Sequence, residues 1–137
     1  MEKEKTCKIV FSDIDGTLLT SDGQITEGTK EMILNLEKKG IPFILTSARS
    51  PEGVRVIKRM LGNHAPIIAF CGGLILDDDG NEIYSKMIPL KRALELKAML
   101  DKDFPAVACN TFGGEKWIVD DRDDWREQRE EKIVGIP

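Results

Sequence analysis

Three observations predict an α/β fold built on a Rossmann-like parallel sheet. Apolar runs of strand length recur near residues 9 to 11, 41 to 45 and 66 to 71. The segments between them carry apolar residues at helical spacing, each bounded by a start and a stop signal. A strand, helix, strand, helix, strand order then implies right-handed crossovers and a parallel sheet, with ligands expected at the carboxyl ends of the strands.

The first run ends in Asp13-Ile14-Asp15-Gly16-Thr17. From Leu18 to Ile25 the chain contains Ser21-Asp22-Gly23, a turn signal suited to a small flap near that strand end. Thr26 is placed to cap a helix over 27–39, with Met32, Ile33 and Leu36 as its apolar stripe and Gly40 as its stop. The continuous run Ile41 to Thr46 suits a strand covered on both faces. Ser50 then caps a second helix, Pro51 takes its first position, Val54, Ile57 and Leu61 form the stripe, and Gly62 closes it. Residues 66–71 make a third strand, and Leu74 to Tyr84 reads as a hairpin with Asp79-Gly80 at its turn. That turn accounts for Asp77 to Asp79 without a metal. Beyond Pro89, Leu90, Leu94 and Ala98 are spaced for a helix. Phe104 to Thr111 and Lys116 to Val119 follow as strands, and a charged helix closes the chain from about Arg122 to Ile133. The boundary between the two parts is placed at residue 84, giving an α/β region over 1–84 and an α+β region over 85–137.

Composition narrows the function. The 137 residues are 41% hydrophobic, enough to support a core, and the net charge of −4 leaves no electrostatic footprint for nucleic acid. No apolar run spans a membrane, and the start Met-Glu-Lys-Glu-Lys is charged rather than a signal sequence, so a cytoplasmic location is expected. The mixed-sign run Asp120 to Glu127 reads as a solvated helix face. Cys7, Cys71 and Cys109 are widely spaced, predict neither disulfides nor a thiolate metal site, and are expected to be small buried residues.

The acidic pair is the chemical signal. Residues two apart on a strand share a face, so Asp13 and Asp15 are expected to enter one pocket, where their repulsion favours a divalent cation. A calcium loop is excluded, because its obligatory sixth-position glycine is Leu18 here. The segment resembles the D-x-D-G-T motif of the haloacid dehalogenase-like phosphatases. The resemblance implies that Asp13 is the nucleophile taking a phosphoryl group, that Asp15 is general acid and then base, and that Mg2+ sits between them. Gly16 and Thr17 would belong to the phosphate-binding turn.

The second strand ends in Thr46-Ser47-Ala48-Arg49-Ser50, immediately before a helix whose N-terminus favours anions. The family places a Ser or Thr here, usually two residues before an Arg, which selects Ser47 with Thr46 as fallback and adds Arg49 to the phosphate contacts. The later helix–strand–strand–helix segment resembles the start of the cap in the Cof-type branch. That branch usually carries Asn-Gly-Ala or Asn-Gly-Gly after the third strand, whereas this chain has Cys71-Gly72-Gly73. His64, the single histidine, lies seven residues before Cys71 and reads as a surface or loop residue.

Full-length relatives add a third-motif Lys and further carboxylates in G-D-x-x-x-D. No such segment follows residue 119, and Lys132 sits in the charged helix. The resemblance therefore covers the N-terminal core half and part of the cap, with the C-terminal core half expected to be absent. The reading that follows is a Mg2+-dependent phosphatase acting on a small phosphorylated metabolite. The alternatives are a non-catalytic phosphate- or metal-binding module and an inert truncated fragment. The first strand would be left as an open edge, so self-association or a complementing chain is expected.

Overall fold

Capping decides where the first two helices form. The computed structural model describes residues 7–114 and 116–135. In it, Thr26 Oγ1 accepts the Thr29 N–H at 3.2 Å and opens α1, Glu27–Lys38. Ser50 Oγ accepts the Gly53 N–H at 3.3 Å and opens α2, Pro51–Leu61. Gly62 ends α2 at φ 77°, a left-handed conformation that a residue without Cβ adopts freely.

These helices connect β1 (Val10–Ser12), β2 (Phe43–Thr46) and β3 (Ile67–Ala69), and β4 (Leu74–Leu76) and β5 (Glu82–Ser85) follow as a hairpin. The sheet order is β1-β2-β3-β4-β5. β1, β2 and β3 run parallel, and β3–β4 and β4–β5 pair antiparallel. Leu45 and Ile67 from the sheet and Val54, Ile57 and Leu61 from α2 are all buried in one cluster, joined by Ile33 of α1 and Ile14. Asp77 accepts from the Asn81 backbone and side-chain amides at 2.8 and 2.9 Å, which shapes the hairpin turn. Lys58 Nζ pairs with Asp78 and donates to Ala65 O at 2.7 Å, stapling that turn to α2.

The chain divides into two units, Met1–Ser85 and Lys86–Pro137. The second contains α3 (Leu90–Asp103), the antiparallel pair β6 (Thr111–Gly113) and β7 (Lys116–Ile118), and α4 (Trp125–Val134). Phe112 stacks on Trp117 across this pair with ring centroids 5.9 Å apart. Asp124 caps α4 by accepting the Arg126 N–H at 2.8 Å, and the Arg126 guanidinium folds back on it, holding its carboxyl down at about 2.

Several expectations are corrected. The third strand stops at Ala69 and turns into a single 3-10 turn over Phe70–Gly72. The strand expected from Phe104 to Thr111 is confined to Thr111–Gly113, because Phe104 instead ends α3 by donating its N–H to Leu100 O at 2.8 Å. The charged run is non-helical up to Asp124: the Asp124 carboxylate captures a nearby N–H and delays the helix to Trp125, while Glu127 is buried. The Leu90–Leu94 stripe is helical but 74% and 61% exposed, since a hairpin of three-residue strands offers little surface to cover it. Cys7 and Cys71 are exposed and Cys109 partly buried, because Cys7 and Cys71 lie in connecting segments outside the packed faces. His64 is exposed, as expected.

Leu61 is fully buried in this core, and Leu61→Ala is expected to lower the unfolding free energy by about 2–5 kcal/mol. Leu90→Ala, on an exposed position, is expected to stay within about 0.5 kcal/mol. Urea unfolding midpoints of the two variants check this contrast.

Candidate functional site

The strand that delivers the acidic pair ends sooner than alternation suggests. β1 stops at Ser12, and the backbone then winds around Ile14, whose carbonyl accepts N–H groups from Thr17, Leu18 and Leu19 at 3.4, 3.0 and 3.1 Å. Ile14 is fully buried, so the turn is anchored in the core while Asp13 and Asp15 on either side of it stay exposed. A turn therefore presents both carboxylates, not continued strand pleating. Gly16 sits at φ 75°, which makes this tight reversal accessible. The Ser12 hydroxyl donates to Asp13 O at 2.8 Å, and the Thr17 hydroxyl lies 3.4 Å from Asp13 Oδ2.

Parallel pairing sets the second loop beside the first. Ser12 is in register with Leu45, so the residues after β1 neighbour those after β2. Thr46 still belongs to β2 and pairs with Ile68. Ser47 is 6% exposed and engaged at every polar atom: its N–H donates to Ile68 O at 3.0 Å, its carbonyl accepts from Cys71 N–H at 2.9 Å, and its Oγ accepts from Arg49 N–H at 3.1 Å.

Arg49 joins the two loops. Its Nε donates to Asp15 Oδ2 at 2.9 Å and its Nη2 to Asp15 Oδ1 at 2.7 Å, a bidentate pair. The hydrogen bonds from Arg49 are the main reason that the Asp15 carboxyl titrates below its ordinary value. Partial burial opposes them and the guanidinium charge adds to them. Asp15 and Arg49, both expected in the site, are thus brought together, but Arg49 faces a protein carboxylate. The 34-residue separation hides this pair from local sequence reading. The signal that points to it is a D-x-D and an S-x-R placed at the ends of neighbouring parallel strands.

The donor set suits a hard cation. Asp13 offers an exposed carboxylate, an oxygen ligand of the kind that holds Mg2+ together with water and phosphate oxygens. Among the described residues, no group of three or more His, Cys, Asp and Glu gathers to hold a metal ion. Elsewhere in the first unit a groove of about 560 Å³ is lined by Lys58, His64, Asp77 and Asp78 among others, and none of Asp13, Asp15, Ser47 or Arg49 lines it.

A parallel β1–β2–β3 core flanked by helices, with an acidic turn and a hydroxyl loop at adjacent strand ends, defines an α/β protein of Rossmann-like type. The model of the haloacid dehalogenase-like hydrolases matches residues 10–135, and the chain belongs to that family. A Haemophilus influenzae protein named "Putative phosphatase" is 36% identical over 124 residues, 84% of this chain and 47% of that protein. The phosphoglycolate phosphatase of Thermoplasma volcanium is 36% identical over 74 residues, 54% of this chain and 33% of that one. A haloacid dehalogenase-like hydrolase from Bacteroides thetaiotaomicron superposes with a TM-score of 0.84 at 21% identity, covering 96% of this chain and 50% of that one. The chain spans about half the length, or less, of these relatives.

Removing Arg49 is expected to return Asp15 toward the ordinary aspartate pKa of about 3.9. Because the folded value is depressed, the pairing stabilises the fold above that pH and fades as the pH falls through the folded value. Arg49→Ala should therefore destabilise at pH 7 and make little difference near the bottom of the titration. Carboxyl carbon NMR of Asp15 across an acid titration, with and without Arg49, measures the shift directly.

Proposed function

We propose that this chain is the N-terminal portion of a Mg2+-dependent phosphomonoesterase acting on a small phosphorylated metabolite. The observation that carries the reading is the bidentate Arg49–Asp15 pair, which links a D-x-D-G-T turn to a Ser47 loop at neighbouring strand ends. In this reading residues 1–84 belong to the core and 85–137 to part of a cap, with the other core half lying outside this chain. The location is cytoplasmic in the same proposal, and no helix among the described residues is long and apolar enough to cross a membrane.

The roles follow from residue chemistry. An Asp13 oxygen attacks phosphorus, the bond from phosphorus to the ester oxygen breaks, and Asp15 gives its proton to the departing alkoxide. Asp15 then takes a proton from the water that attacks the aspartyl phosphate, releasing inorganic phosphate and restoring Asp13. Asp13 and the Asp15 carbonyl would hold Mg2+, which supplies neutralisation of phosphoryl charge. A phosphate dianion offers the guanidinium the same two-oxygen geometry that Asp15 offers, so substrate competes for Arg49. Drawing Arg49 toward the phosphate releases Asp15 to carry the proton that an acid needs. Gly16, Thr17 and the Ser47 hydroxyl complete the phosphate contacts.

A second reading is a module that binds phosphate or metal without turnover, or an inert truncated fragment. Among the described residues the acidic pair gains no third carboxylate, histidine or cysteine beside it, and this favours it. Phosphate release from p-nitrophenyl phosphate with and without Mg2+ separates the readings. Asp13→Asn should abolish release, and Asp15→Asn should slow it by about 10²–10⁴-fold. Equal rates in wild type and Asp13→Asn would remove the nucleophile assignment, whereas phosphate binding with no release in either protein would favour the module.

β1 closes one end of the sheet order, and the nearby Ile9 and Phe11 are 43% and 55% exposed. An open apolar edge of this kind invites strand pairing, by self-association or with a complementing chain. Light scattering at micromolar concentration is expected to show a species heavier than the monomer, and a stable monomer would count against the pairing.

A further inference from the structure

We infer that the turn at Phe70 and Cys71 is a positioning device that holds the Ser47–Arg49 loop so that the Arg49 guanidinium meets Asp15. The pairing it serves is a fact of the structure. Its consequence for phosphate rests on the phosphatase reading above.

Phe70 and Cys71 have φ of 50° and 53°, and among the described residues they alone, apart from glycines, have positive φ. Side chains with a Cβ are disfavoured in this region, so two such residues in succession mark a strained place in the backbone. The geometry explains what the strain accomplishes. In an extended strand, successive N–H groups point to opposite sides. Here consecutive N–H groups serve the same loop: Phe70 donates to Arg49 O at 3.0 Å and Cys71 to Ser47 O at 2.9 Å. Continued strand geometry could not aim both in that direction. The left-handed turn does.

The result is a loop bonded from several sides. β3 grips the Ser47 N–H through Ile68 O, the turn grips the carbonyls of Ser47 and Arg49, and Ser47 Oγ accepts the Arg49 N–H. With its own backbone N–H and carbonyl both bonded, Arg49 has a fixed origin for its side chain, which is only 8% exposed where it meets Asp15. A two-point contact tolerates little displacement of that origin. Cys71 is the position where side-chain identity tunes the device, because glycine and asparagine enter the left-handed region more easily than cysteine, and a β-branched residue enters it with most difficulty.

The test is a set of Cys71 variants read by the Arg49 Nε–H resonance in a proton–nitrogen correlation spectrum. Its shift and slow exchange report the ion pair without any need for activity. Cys71→Gly and Cys71→Asn are expected to keep that signal and to raise Tm rather than lower it. Cys71→Val is expected to lose or broaden it and to weaken inorganic phosphate in a titration of the same sample, with circular dichroism showing an intact fold. A folded Cys71→Val that retains the wild-type Arg49 signal would overturn the inference. Should that variant not fold, Cys71→Thr, also β-branched, takes its place, and a folded Cys71→Thr with the wild-type Arg49 signal would overturn it equally. If the signal responds as expected while wild type binds no phosphate, the positioning role stands and the phosphatase reading falls.

Discussion

The parallel register between β1 and β2 is the constraint on which the site depends. Ser12 opposite Leu45 sets the turn after one strand beside the loop after the other, so Asp15 and Arg49 meet although neither strand carries both. A slip of one residue would turn the alternating faces of β1 over and separate the two loop origins by a strand rise of about 3.3 Å. The core resists such a slip. Phe43, Ile44 and Leu45 are buried along β2, and Ile14 fixes the far end of β1 in the same cluster that receives Leu45. Packing thus secures the register, and the register secures the electrostatics. The apolar residues around Ile14 are part of the machinery in this physical sense, even though no chemistry is asked of them.

Charge explains how the two carboxylates are kept close together in one turn. Two carboxylates flanking one buried residue would repel, and Arg49 cancels one of them with two hydrogen bonds. Asp13 is left exposed with the Thr17 hydroxyl as a distant partner. The pair is therefore asymmetric: one carboxylate is neutralised and held, and the other stays open to an incoming group. That asymmetry matches the division of labour between a nucleophile and an acid–base partner in the proposed reaction. In the proposed reaction a phosphate would offer Arg49 an alternative two-oxygen acceptor, exchanging one anionic contact for another.

Local signals made much of the first unit legible. Thr26 and Ser50 cap the helices that they were expected to cap, Gly62 ends α2, and the Asp79-Gly80 turn closes a hairpin, because each of these depends on chemistry within a few residues. The D-x-D-G-T turn and Ser47 were legible as motifs at strand ends. What escaped depends on distance or on strain. The Arg49–Asp15 bond joins loops 34 residues apart in sequence, and the left-handed pair at Phe70 and Cys71 violates the preference of both residues for the sake of the neighbouring loop. Gly72-Gly73 announces a reversal in that region but says nothing about the two residues before it. In the second unit, Asp124 prefers capping to continuing a helix, and α3 keeps its apolar stripe without burying it, so periodicity identified the helix and misjudged its surroundings.

The exposed apolar residues of the two units raise the same physical question in different forms. β1 shows Phe11 at 55% exposure on a parallel strand, and parallel strands are ordinarily covered on both faces and paired on both edges. In the second unit, Leu90, Leu94, Phe104 and Trp125 are all more than half exposed on helices or at their ends. Scattered apolar side chains are normal on a surface, but a run of them along a helix with no buried residue leaves that helix with little of the tertiary packing that stabilises most helices in proteins. α3 must then rely on its own propensity and on pairs such as Arg92–Glu95 and Lys97–Asp101, solvent-screened contacts between neighbouring turns of the helix. For α3 such pairs cannot replace a packed face. The association proposed above would supply it, and would pair the edge of β1 that no described strand covers by the same hydrophobic and hydrogen-bonding forces that already hold β2 between its neighbours.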